Sequence, residues 1–401
     1  MSNRFSFFFI FIFVACFSFA AAQQRLDQQL WEKARAIHEK AVVVDTHCDV
    51  PDRMLEEKKF DIGKRNSNGH VDLVRMKEGG LDAEFFSVYV SNALDEKNPS
   101  REALKRIDTI RSVIKRYPSL AEIATSTSDI LRLKREGKRA ILMGMENGSP
   151  VEGSLERLRK YYALGIRYVT LTHMHNNPIC DSSTDTTERW HGLSPFGRTM
   201  IQEMNRLGIM IDISHVSDKA AFQAIALSTK PVIASHSCAR ALCDVPRNMS
   251  DSLLRAVKKN GGVVMVNFYP SYLDMAYNKK ITAIYDTIRP QMEAAKEKYK
   301  NNRDSLELKL DELHAKLKIE PPQVAVLIDH IDHMVKIMGV DHVGLGSDFD
   351  GIPSTPAGLE DVGKLPIITY ELLRRGYPDS DIRKILGENI LRVMAANEKI
   401  Q

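Results

Sequence analysis

The chain has 401 residues, 43% of them hydrophobic, enough for a large core and too much for an intrinsically disordered protein. Its 56 Lys and Arg against 52 Asp and Glu leave a formal net charge of +4, which gives no reason to expect a nucleic-acid or membrane partner. Five cysteines in such a length exclude a fold that depends on a disulfide framework.

In chain order, the first 22 residues stand apart. Arg4 precedes the apolar run "FSFFFIFIFVACFSF" and the small residues of "AAAQQ", which predicts a secretory signal peptide cleaved near Ala22. The mature chain is then expected to be soluble and exported, either periplasmic or secreted. Lipid attachment through Cys16 is the weaker reading, because Phe13 is an unusual residue three positions upstream. No later stretch approaches the roughly 18 consecutive apolar residues of a membrane span. The C-terminal "AANEKIQ" is polar, so neither a transmembrane span nor a lipid-anchor tail is expected in the mature chain. Cys48, Cys180, Cys238 and Cys243 remain after cleavage, and their spacing leaves a Cys238 to Cys243 pair open.

Residues 23–401 are read as one domain. Short β-branched apolar runs recur as "VVVDTH" (42–47), "AEFFSVYVS" (83–91), "AILMGMEN" (140–147), "RYVTLTH" (167–173), "IMIDISH" (209–215), "PVIASHS" (231–237), "GVVMVNFY" (262–269) and "HVGLGSDFD" (342–350). Amphipathic stretches such as "SLERLRKYYALG" and "DSLLRAVKKNGG" lie between them and end at Gly, as helices often do. Strands alternating with helices imply parallel pairing. Eight of them, apolar on both faces, favour an α/β fold of the (β/α)8 TIM barrel type over an open doubly wound sheet. A helical insertion at about 275–322 separates strands seven and eight. In it, Leu306, Leu310, Leu313 and Leu317 fall on one face, and Pro321 and Pro322 end the helix. It is read as an outer helix with a solvated charged side, or else as a cap over the barrel mouth or a homodimer contact.

The carboxyl ends of barrel strands form the active face. At those ends stand His47 and Asp49, Glu146, His173, His215, His236 and Asp348. With 12 His in the chain, eight such positions should hold on the order of 0.24 His by chance; four are found. Singly, each residue has an ordinary explanation, such as a structural histidine, a salt-bridge carboxylate, or an Asx turn at Asp348. Together they suit two metal ions. His47 and Asp49, two apart on an extended chain, point to one side and converge on one cation. His215 and His236, on neighbouring strands, would hold a second, and Glu146 lies between the two sets, where its oxygens bridge them. A hydroxide shared by the ions would be the nucleophile. His175 and His191 are left without a role. "NGS" at Asn147 and "NMS" at Asn248 match glycosylation sequons but adjoin these residues and are read as coincidence.

At these residues the sequence resembles the membrane dipeptidase (renal dipeptidase) family of zinc peptidases, within the amidohydrolase-like barrels. The resemblance spans essentially the whole mature chain and rests on "VVDTHCD", "GHVDLVRMKEGGLDAEFFSVYV", "MENG", "GIRYVTLTH", "DISHVS", "PVIASHS", "RNMSD", "VMVNFY", "HVGLGSDFDGI" and "GENILRV". It implies two Zn2+ per chain, one on His47, Asp49 and Glu146, the other on Glu146, His215 and His236. It also implies that His173 contacts the tetrahedral intermediate, that Asp348 shuttles the proton, and that Arg247 binds the carboxylate of a dipeptide substrate, with Tyr269 of "VMVNFY" among the substrate-binding residues. The C-terminal residue of the dipeptide could then be L or D. Two departures from the animal enzymes are the longer insertion and the missing C-terminal anchor signal. Rival readings are another metal-dependent amidohydrolase and a non-catalytic exported zinc-binding protein. The first is disfavoured by His47-x-Asp49 in place of His-x-His and by the lack of a Lys closing "RYVTLTH".

Overall fold

The computed structural model describes residues 28–91, 98–299, 309, 312–313 and 319–398. The segment assigned to a signal peptide, and most of the insertion after 299, lie outside the described residues. The described residues contain nine strands: β1 (Val44–Cys48), β2 (Ala83–Tyr89), β3 (Ala121–Ile123), β4 (Arg139–Glu146), β5 (Ile166–Thr170), β6 (Met210–Asp212), β7 (Ile233–Ala234), β8 (Val263–Val266) and β9 (Val343–Leu345). Eight run in parallel in the order β1-β2-β4-β5-β6-β7-β8-β9, and β3 pairs only with the start of β4. The ring closes where Cys48 pairs with Phe349. There the Asp49 N–H donates to Phe349 O at 2.8 Å and the Asp348 N–H to His47 O at 3.0 Å. The Asp45 carboxylate adds an acceptor for the Ser347 N–H at 2.7 Å. This is the expected (β/α)8 barrel.

Every apolar run picked out from the sequence contains a strand, because parallel strands buried on both faces need apolar residues at successive positions. The strands are shorter than the runs. β7 keeps two residues, and the chain turns out of the ladder before His173, His215 and His236. β3 was not expected; three residues are too few to show a period. Alternate positions along the strands, among them Val44, Phe85, Leu142, Tyr168, Met210, Ile233 and Met265, form a packed cluster that continues into Ile390, Val393 and Met394 of the last helix, Asn389–Asn397. A larger cluster joins the opposite faces of the strands to the surrounding helices. Ser154, Ser194, Ser217 and Ser250 each cap a helix by accepting an N–H from three residues on. Gly165, Gly208 and Gly261 close helices in the left-handed conformation.

After the short helix Pro270–Leu273, the insertion begins as the helix Met275–Lys298. Of the four leucines assigned to one helical face, Leu313 alone is described, and it is buried. No helix among the described residues is long and apolar enough to cross a membrane.

Gly346, just after β9, lies close to the backbone of Ser235, just after β7. A Cβ there would lie 1.9 Å from the Ser235 carbonyl oxygen, so backbone rather than a flexible side chain would have to move. Gly346→Ala is expected to cost about 1 to 3 kcal/mol, read as a lowered urea midpoint; an unchanged midpoint would refute this close approach.

Candidate metal centre

The strand ends bring all seven polar residues picked out from the sequence to one mouth. His47 belongs to β1 and Glu146 ends β4, whereas His173, His215, His236 and Asp348 stand two or three residues beyond their strands. Asn147, His215, Asp348 and Asp350 have φ of 72°, 69°, 63° and 63°. These left-handed conformations cost non-glycine residues of order 1 kcal/mol or more, and they cluster where function demands a fixed direction. Asn147 holds its turn by donating to Val90 O at 2.9 Å.

Glu146, 4% exposed, is the centre of the arrangement. Its Oε2 lies 3.5 Å from His47 Nε2, which is in turn 3.4 Å from Asp49 Oδ2. Its Oε1 lies 3.1 Å from His215 Nε2, 3.5 Å from His236 Nε2 and 3.6 Å from His173 Nε2. Two triads sharing this carboxylate, His47 with Asp49 and His173 with His215, have their ligand-type atoms within 4.8 Å of one another, as does His47 with His236 and Asp348. A tetrahedral cation about 2.0 to 2.1 Å from each ligand has donor-to-donor edges of about 3.3 to 3.4 Å, close to these separations.

Neighbouring groups indicate which nitrogens face inward. Ser235 Oγ is 2.6 Å from an oxygen of Asp212, which can only accept, so the hydroxyl donates there and takes the Nδ1–H of His236 at 2.8 Å. Tyr168 Oη donates to Thr46 O at 3.1 Å and so takes the Nδ1–H of His47 at 2.7 Å. Both Nε2 lone pairs therefore turn toward Glu146, the tautomer that holds a metal. His47 Nε2 and Asp49 Oδ1 are buried with no hydrogen-bond partner. Such a convergence of acceptors fits a cation.

The electrostatics agree. Burial opposes charge on Glu146, yet the facing His47 and His173 hold its carboxyl well below the usual range. Burial also opposes charge on His47, but Tyr168, Glu146 and Asp49 outweigh it and hold the imidazole well above its ordinary range. These negative neighbours favour positive charge at His47 Nε2, whether a proton or a cation. Burial drives His215 and His236 well below the histidine range, leaving both neutral and able to coordinate. Burial pushes the Asp348 carboxyl up to about 7, against the pull of His47 and with help from Asp49 and Glu146.

Arg247 is buried beside this cluster. It donates to His236 O at 2.9 Å and Ser237 Oγ at 3.2 Å, while its Nε has no partner. Tyr269 stacks edgewise on Tyr272, ring centroids 4.9 Å apart, and the Tyr272 ring lies 5.5 Å from the Arg247 guanidinium carbon. His175 and His191 are exposed, on acidic partners elsewhere. Asn147 and Asn248 are buried and donate to carbonyls, which leaves neither open to a glycan. Cys238 and Cys243 are free thiols, turned toward the separate carbonyls of Asn267 and Ser271. Sequence reasoning missed Tyr168, Asp212, Ser235 and Asn267, the last of which donates to Asp348 Oδ2 at 2.8 Å. A polar residue inside an apolar run, as in "IMIDISH", was the available signal.

Residues 31–401 match the family model described as "Membrane dipeptidase (Peptidase family M19)". Among curated relatives, Dipeptidase tcpJ of Claviceps purpurea is 37% identical over 340 residues, covering 83% of this chain and 70% of that protein. Dipeptidase 3 of Rattus norvegicus is 33% identical over 383 residues, covering 94% and 69%. Among solved structures, the probable dipeptidase PvdM from Pseudomonas aeruginosa superimposes with a TM-score of 0.79 at 29% identity, over 92% of this chain and 98% of that one. With the fold and the acceptor cluster described above, these matches mean that the chain belongs to the membrane dipeptidase family, peptidase family M19, and is a dipeptidase of that metallopeptidase family.

Proposed function

We propose that the chain is an exported binuclear zinc dipeptidase that hydrolyses dipeptides with a free C-terminal carboxylate and an L- or D-residue at that end. The observation that carries the reading is the Glu146 carboxylate, with His47 and, next to it, Asp49 on the side of one oxygen and His215 and His236 on the other. These five residues would hold the two ions. When bound, zinc-type cations supply Lewis acidity, polarising a carbonyl and lowering the pKa of water. Export rests on the N-terminal sequence pattern alone.

The remaining groups carry the steps that the protein itself performs. Asp348, held by Asn267, is close enough to His47 and His236 to accept a proton from the attacking water and pass it to the leaving amine. His173, neutral because burial lowers its proton affinity, directs an N–H at the oxygen that gains charge, worth about 3 to 4 kcal/mol by analogy with other oxyanion donors. Arg247 has a spare buried donor for the substrate carboxylate. A clamp at fixed distance from Glu146 restricts turnover to substrates whose C-terminus lies one residue from the scissile bond.

Three measurements test this. With zinc restored, L-Xaa-L-Yaa and L-Xaa-D-Yaa dipeptides should be cleaved while their amides and tripeptides are not, and chelation should abolish turnover; equal cleavage of the amides would remove the clamp. Glu146→Gln should keep the fold while losing bound metal and at least about 100-fold of activity, and near-normal hydrolysis would refute its bridging position. Arg247→Met should raise KM for free dipeptides about tenfold or more, since a hydrogen bond to a charged group contributes about 1.5 to 3 kcal/mol; an unchanged KM would move the carboxylate elsewhere.

A further inference from the structure

Beside the centre lies a cavity of about 870 Å³ for which the proposed reaction gives no use. One wall is the Met275–Lys298 helix, through Tyr277, Ile281 and Tyr285; the other is the segment after Asp348, through Gly351, Ile352 and Ser354. Tyr277 Oη and Ser354 Oγ, 2.9 Å apart, join the two walls. Two carboxylates reach the lining. Asp350 is already engaged by the N–H groups of His70 and Val71 at 2.7 and 3.1 Å, and Glu320 is exposed. What remains is aromatic and aliphatic surface, in the size range of small-molecule sites.

The cavity adjoins the reacting groups at one particular edge. A Cβ on Gly351 would lie 2.2 Å from Asp49 Oδ2 and 2.6 Å from Asp348 Oδ1, so the cavity wall itself touches both carboxylates. Arg247 follows β7, two strands round the ring from the segment that carries Asp348 and Gly351, and is held against His236 and Ser237. With the carboxylate of a dipeptide on Arg247 and its carbonyl over Glu146, the groups left for the amine-side residue are Asp49, Asp348 and the cavity wall at Gly351.

We propose that this cavity is the subsite for the side chain of the amine-side residue and that it selects bulky apolar and aromatic residues there, with Tyr277, Ile281 and Tyr285 as specificity-determining residues. The proposal rests on the dipeptidase reading and its Arg247 clamp. An aromatic ring would bury more apolar surface against Tyr277, Ile281 and Tyr285 than an alanine methyl can.

The test uses the zinc-loaded mature chain and kcat/KM for L-Phe-L-Ala, L-Leu-L-Ala, L-Ala-L-Ala, L-Asp-L-Ala and L-Ala-L-Phe. Phe and Leu on the amine side should exceed Ala by about tenfold or more, and Asp should fall below Ala. In Ile281→Asp the ratio of L-Phe-L-Ala to L-Ala-L-Ala should drop about tenfold. The wild-type panel decides the matter even where that variant fails to fold. Equal values for L-Phe-L-Ala and L-Ala-L-Ala, or a preference that follows the carboxyl-side residue, would overturn the subsite while leaving the dipeptidase reading intact. If no dipeptide were cleaved, the dipeptidase reading would fall and the subsite with it.

Discussion

The structure depends on one buried negative charge. Glu146 carries a carboxylate almost out of reach of water, and an ion in that position is tolerated only when positive or donor groups surround it. The chain brings four histidines to it, from β1 and from the segments following β5, β6 and β7, so that nitrogens and carboxylate face one another where a cation would balance them, and four separate parts of the ring must arrive within about one side-chain length of one carboxyl group. The closed barrel makes this feasible, since its strands end at a common level and turn their last side chains to a shared mouth. The left-handed backbone at Asn147, beside Glu146, and at His215 is the local cost of that aim.

Around this charge stands a ring of ordinary polar residues whose work is orientation. Tyr168 and Ser235 take the outer N–H of His47 and His236, and Asp212 in turn takes the Ser235 hydroxyl. Asn267 holds Asp348. Each sits in or beside a strand, where packing fixes its rotamer more firmly than a loop would. The geometry of the histidines is therefore set by the barrel interior, while the groups proposed to meet substrate, Arg247 and the wall at Gly351, come from the longer connections. Such a division keeps the chemistry constant and leaves selectivity to elements whose replacement does not disturb the core.

The insertion fits this division. Its first long helix presents Tyr277, Ile281 and Tyr285 to the cavity beside the carboxylates.

By itself the sequence determined the eight barrel strands and the seven polar residues at their ends. Both signals are local: an apolar run is needed wherever a parallel strand is buried on two faces, and a histidine or carboxylate closing such a run stands out against it. Where each strand stops was not legible, because the ladder ends where neighbouring chains diverge, and no residue in "PVIASHS" marks that β7 holds only Ile233 and Ala234. The spacing of Cys238 and Cys243 left a disulfide open, whereas the folded chain turns the two thiols toward different carbonyls. Tyr168 and Asn267 read as strand filling; only the fold brings Tyr168 to His47, 121 residues away in sequence, and Asn267 to Asp348, 81 away. The cavity is likewise a product of two segments roughly seventy residues apart meeting over the mouth. Residue type and period are properties of short stretches, but tautomers, partners and cavities are set by distances across the barrel, and tertiary packing alone decides those.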